Sequence, residues 1–181
     1  MYVYCLFCRT QRCKAIAQLM EIRGAGRAFS PQIIRTQRKE GRNERKSFDL
    51  LPGYVFVFSE ERMTDYGAFF GMDGVIRRVG LQEDSYELTG EDLDFAMQLL
   101  EKDGVVGAMR ACRNGDEVVL EDPLFRGCQG KITKIDYRKE RARVDFIFEK
   151  NPCHAWVSLE DVKSLAKPEG EQKQDAVTIK L

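Results

Sequence analysis

The sequence predicts an α+β domain with helices packed on one sheet, followed by a small β-barrel. Three observations predict this. Apolar segments of strand and helix period alternate through the first hundred residues in the order β-α-β-β-α-β-α. Beyond Asn114 the helical period disappears, and only short strands with tight turns remain. Between the two patterns, Lys102 to Asn114 carries Gly104 and Gly107 and little periodicity. The expected organisation is therefore a first domain over 1–102, a linker over 103–114, a barrel over 115–166, and a flexible tail over 167–181. That tail is rich in Lys, Glu and Gln.

Each element has its own warrant. Val3, Cys5 and Phe7 alternate with Tyr4, Leu6 and Cys8, which reads as the first strand. Thr10 suits a helix N-cap. The helix that follows runs to about Arg23, with Cys13, Ile16, Ala17 and Met20 on one face, and ends at Gly24 and Gly26. Phe29 to Thr36 reads as a strand around Pro31. Residues 35–46 are polar, basic and turn-rich, as in a hairpin tip or a loop. A short helix is expected from Thr64, holding Tyr66, Phe69 and Phe70, and then a strand over Val75 to Val79. Thr89 to Asp92 has the form of a capping box. The helix it opens carries Leu93, Ala96, Met97 and Leu100 at helical spacing. The barrel strands are expected at Glu117–Leu120, Lys131–Ile135, Arg143–Phe148 and Ala155–Leu159, with a fifth near Val162–Leu165.

Net charge is zero, but charge is unevenly spread. Residues 1–50 hold 11 Lys and Arg against 4 Asp and Glu, a balance of +7. Residues 51–108 hold 4 against 12, a balance of −8. Fields act locally over about a Debye length, so one edge of the first domain is basic and suits phosphate contact. The apolar N-terminus is short, without a basic lead or a cleavage site, and no apolar run reaches the roughly 20 residues of a membrane span. The expectation is a cytoplasmic monomer with free thiols and no membrane contact. Cys5 and Cys8, three apart on a strand, point to opposite faces and cannot converge on a metal. His154 is the only histidine, and no nucleophile triad or phosphate-cradling glycine loop is spaced for catalysis. Neither an enzyme activity nor a cofactor is expected.

Two stretches carry the most information. Leu50 to Phe58 reads Leu-Leu-Pro-Gly-Tyr-Val-Phe-Val-Phe, too apolar for a strand with one wet face. It suits either a central core strand or a docking surface with Tyr54 and Phe56 facing a partner. The second stretch, Gly115 to Ile132, opens a strand with Gly-Asp, places Phe125 and Gly127 at a loop tip, and restarts a strand after Gly130.

The second stretch resembles the KOW motif. Placed after Leu51-Pro-Gly-Tyr-Val-Phe-Val57 and Gly74-Val-Ile-Arg-Arg-Val79, it resembles the NusG family of transcription elongation factors over nearly the whole chain to about Leu165. The resemblance implies an N-terminal NGN-type α/β sandwich and a C-terminal SH3-like KOW barrel. It implies that the first domain binds the clamp helices of RNA polymerase through an apolar patch and suppresses pausing. Tyr54 and Phe56 match the strand lining that patch, with Phe7 and Pro52 beside it. The basic residues Arg9, Arg12, Lys14, Arg35, Arg38, Lys39, Arg42, Arg45 and Lys46 would then meet DNA or nascent RNA, including an RNA hairpin. The loop Leu124, Phe125 and Arg126 matches the family's contact with a ribosomal protein or the termination factor Rho.

Within the family the basic first third looks most like a specialised paralogue of the LoaP/RfaH type, acting in antitermination on particular long operons. The His-Thr-Thr patch of RfaH is replaced here by Asp65-Tyr66-Gly67. Two other readings stay open: a housekeeping elongation factor, and a KOW-type RNA-binding module in translation or ribosome assembly.

Overall fold

Strand β1 (Tyr2–Cys8) is apolar on both faces and lies inside a four-stranded sheet ordered β2-β5-β1-β6. Its neighbours are β5 (Tyr54–Ser59) and β6 (Val75–Val79), both antiparallel, while β2 (Arg27–Phe29) closes the far edge of β5. Residues 1–39, 42–63, 71–80, 86–115 and 117–165 of this computed structural model are described below. The helix expected from Thr64, the Asp65-Tyr66-Gly67 stretch and the tail lie outside the described residues.

The register sorts side chains by face. Phe7 pairs with Tyr54, Cys5 with Phe56 and Val3 with Phe58, so all six share one side. Tyr4, Leu6, Cys8, Val55 and Val57 share the other. Helix α1 (Cys13–Ile22) covers this second side with Cys13, Ile16, Ala17 and Met20, the stripe its spacing predicts. Its start differs from expectation. Thr10 opens a 3₁₀ turn over Thr10–Arg12, and Arg12 occupies the N-cap without a side-chain capping bond.

The Pro52-Gly53 turn ties β5 to β1. The Cys8 N–H donates to the Gly53 carbonyl at 2.7 Å, and Gly53 has φ +91°. A Cβ there would lie 2.9 Å from the Phe7 ring and 3.0 Å from the Cys8 carbonyl oxygen, so only glycine fits.

The basic stretch forms an antiparallel hairpin, β3 (Gln32–Lys39) with β4 (Arg42–Asp49), as one of the two sequence readings held. Helix α2 (Gly90–Glu101) follows Thr89, which sits at the N-cap but makes no side-chain cap, so the expected capping box is absent. Glu91 and Asp92 still occupy the first turn, where the helix dipole favours them. The buried residues of α2 are Phe95, Ala96 and Leu99, with Leu93, Met97 and Leu100 half-buried against the same core. The apolar surface is thus wider than the predicted stripe, because α2 is covered by two bodies.

The stretch 103–114 is more ordered than a linker. Strand β7 (Val105–Val106) adds in parallel to β3, and β8 (Ala111–Asn114) forms a hairpin with β9 (Glu117–Leu120). A second sheet, β10 (Lys131–Asp136), β11 (Arg141–Phe148) and β12 (Asn151–Ser158), completes the barrel. Val162–Leu165, expected as a fifth strand, is a 3₁₀ turn. Gly130 is needed for close approach: its Cβ would lie 2.4 Å from that of Phe125.

Candidate functional site

The face Phe7–Tyr54–Phe56–Phe58 is the most aromatic surface of the first domain. Phe7 and Tyr54 lie 5.1 Å apart between ring centroids, and Phe29 stacks on Phe58 at 5.2 Å. Phe58 is therefore covered from β2. Tyr54 and Phe56 are not open to solvent either. They are 8% and 0% exposed, because the barrel sits on them. In this structure the strand is therefore covered on that face.

Strand β11 supplies the cover. Ala142, Val144, Phe146 and Phe148 alternate inward along it. The first two fill the barrel; the last two overrun it and enter the first domain. Phe148 meets Tyr54 edge-on at 5.3 Å, Phe56 at 5.5 Å and Phe95 at 5.7 Å. Phe146 stacks on Phe95 at 5.7 Å. Each such ring pair contributes about 0.5–1.5 kcal/mol beyond its buried area. Burial also pushes the Tyr54 phenol up to about 12.

Phe125 belongs to the same cluster. It lies 6.2 Å from Phe95 and 5.0 Å from Phe146 and is buried, as is Leu124. The Leu124–Arg126 loop thus packs on α2, leaving Arg126 exposed. Asp122 caps this turn by accepting from the Leu124 N–H at 3.0 Å and also takes Lys102 Nζ at 2.9 Å.

Polar contacts ring the aromatic cluster. Arg77 forms a bidentate pair with Glu149, Nη1 to Oε1 at 2.9 Å and Nη2 to Oε2 at 2.8 Å. Hydrogen bonding to Glu149 is the main cause that raises the Arg77 guanidinium above its ordinary range. The Glu149 N–H donates to Asp92 Oδ1 at 3.0 Å, and burial raises the Asp92 carboxyl. At the opposite side Ser158 Oγ donates to the Ile34 carbonyl at 3.3 Å.

The remaining predicted residues fall into two groups. Pro52 is exposed at the edge of the aromatic face. Arg9 and Arg12 converge on Asp73 at 3.9 and 3.2 Å, and Lys14 is exposed on α1. The hairpin brings the others together: Arg35 opposite Lys46, Thr36 opposite Arg45, Arg38 opposite Asn43 and Lys39 opposite Arg42. Arg35 lies 3.6 Å above the Phe48 ring, with Lys46 Nζ 5.8 Å from it.

Cys5 and Cys8 face opposite sides of the sheet, as period 2 requires. Burial raises both thiols, Cys8 to about 12. Among the described residues no helix is long and apolar enough to cross a membrane.

Phe95, Phe146, Phe148, Arg77 and Glu149 were not singled out from the sequence. The alternation along β11 marks Phe146 and Phe148 as buried but does not say in which domain.

No protein-family model matches the chain, and no curated protein matches it. Among solved structures it is similar to one described as "Domain interaction in Thermotoga maritima NusG". The identity is 14%, the TM-score 0.46, and the match covers 87% of this chain and 93% of that one.

Proposed function

We propose that this chain is a NusG-like, non-enzymatic transcription factor that docks on RNA polymerase through the Phe7–Tyr54–Phe56 face. The observation that carries this reading is how that face is covered. It is an aromatic patch shielded by a second domain, through stacked rings and a rim of charge contacts. Aromatic patches of this kind serve as hot spots for a partner. The sequence resemblance supplies the partner, the polymerase clamp helices.

On this reading the barrel and the polymerase compete for one surface. The structure corresponds to a closed state, and docking requires the barrel to leave. Its departure also uncovers Leu124 and Phe125, which, with Arg126, then become available to a ribosomal protein or Rho. The basic hairpin lies alongside DNA or nascent RNA. A clamp held closed by the bound first domain resists pausing and termination, and the basic first third favours action on particular operons.

Polymerase capture by the full chain tests this. Glu149→Ala, which weakens the closed state, should increase capture. Adding Phe7→Ala, a half-buried ring on the docking face, should remove the gain. Circular dichroism confirms that both variants fold. Capture indifferent to both changes rejects the docking face.

A further inference from the structure

The barrel does more at the hairpin than pack against it. Where β12 passes β3, the barrel brings Arg141 near enough to Arg35 for the two charges to interact. Arg141 is the register partner of Ser158, whose hydroxyl reaches the Ile34 carbonyl. Arg35 is half-buried, and its Nε is buried without a hydrogen-bond partner. Lys46 stands directly opposite Arg35 on β4 and is exposed. Cations from two domains are thus neighbours, and of the three Arg141 is paired with a carboxylate, its Nε 3.3 Å from Asp136 Oδ2. Burial lowers Arg35 below its ordinary range, and the nearby Arg141 charge lowers it further.

A guanidinium left with a buried, unpaired donor is costly, and a like charge beside it adds to the cost. An anion placed among the three would relieve both. The aromatic floor fits the same purpose. Arg35 Cζ lies 3.6 Å over the Phe48 ring centroid, and Arg141 Cζ lies 4.4 Å over that of Trp156. Stacking of this kind restrains each guanidinium while its terminal nitrogens keep further donors for phosphate oxygens. Arg42, exposed, lies farther along β4 on the same face of the hairpin as Lys46. Cations drawn together from two domains suit a polyanion strand better than a single small anion.

We infer that Arg35, Lys46 and Arg141, seated on Phe48 and Trp156, form one binding site for the phosphate backbone of a nucleic-acid strand, complete only while the barrel is docked. The site rests on the closed state in the functional reading above. It adds a consequence: a bound strand stabilises the closed state, and by linkage polymerase docking and this site oppose each other.

Anisotropy titrations of the full chain with labelled single-stranded RNA, single-stranded DNA and an RNA hairpin test the inference; the tightest ligand identifies the source of the backbone. Arg141→Gln should weaken binding about tenfold, as for loss of one charged hydrogen bond. It should also make the salt dependence shallower by about 0.7 in slope. Arg35→Gln should do the same, and the double variant should lose less than the product of the two. Glu149→Ala should weaken binding although it touches none of the cluster. Lys163→Gln, exposed elsewhere on the barrel, should leave it unchanged. Wild-type affinity in Arg141→Gln alongside a loss in Arg35→Gln overturns the shared site and leaves the hairpin alone. Wild-type affinity in both removes the site altogether. Neither result bears on polymerase capture by Glu149→Ala, so the two proposals fail separately.

Discussion

Glu149→Ala is the sharpest perturbation of the closed state. Glu149 is 11% exposed at its side chain and Arg77 is 45% exposed, so the pair lies between a surface and a buried ion pair. Exposed pairs contribute up to about 1 kcal/mol, and breaking a buried pair costs about 3–5 kcal/mol. A value of about 1–2 kcal/mol is reasonable for this bidentate, half-screened geometry. That shifts the closed-to-open ratio by roughly 5- to 30-fold. Affinity for a ligand of the open state scales with the fraction open. If closed molecules dominate, polymerase should therefore bind Glu149→Ala about 5- to 30-fold more tightly. The measurement is a polymerase titration at two ionic strengths. The gain should shrink at higher salt, which already weakens the wild-type pair. Unaltered or weaker binding by a folded Glu149→Ala protein would show that the Arg77–Glu149 contact does not restrain the docking face.

Three further outcomes are expected. Phe148→Ala removes a ring held among Tyr54, Phe56 and Phe95 and should cost about 3–5 kcal/mol in urea unfolding. A loss confined to the barrel transition would mean the domains unfold apart. Gly130→Ala forces a Cβ to within 2.4 Å of the Phe125 Cβ and 2.8 Å of its carbonyl oxygen. It should cost about 1–3 kcal/mol, and an unchanged urea midpoint would contradict the packing. Stability should also fall at alkaline pH. Burial raises the Cys8 and Cys128 thiols from an ordinary 9.0 to about 12, and the Tyr54 phenol from 10.0 to about 12. The folded chain keeps these protons while the unfolded chain releases them. Their contribution is complete below about pH 9 and is lost as pH rises towards 12. Urea midpoints across that range check the sign.

Much of the fold was legible in local pattern. Period 2 along Val3–Phe7 and Tyr54–Phe58 assigned each residue to a face, and the two faces of that sheet follow the assignment. The stripe Cys13, Ile16, Ala17 and Met20 was likewise complete, because one helix covers one sheet face. The caps were read less well. Thr10 and Thr89 have the right chemistry, but neither side chain makes the bond. Cap geometry depends on how the preceding chain enters the helix, which composition does not encode.

The candidate site divides the same way. Sequence alone determined the aromatic strand, the basic character of residues 35–46 and the alternation along β11, since each follows from side-chain chemistry along the chain. Only the tertiary structure decided that Tyr54, Phe56, Phe125 and Phe148 bury one another, and that Arg141 comes near Arg35. The strand β5 pair and the barrel rings that cover it lie about ninety residues apart in sequence, as far as Arg35 from Arg141 in order of magnitude. A period marks a side chain as buried; it carries no information about which distant surface does the burying.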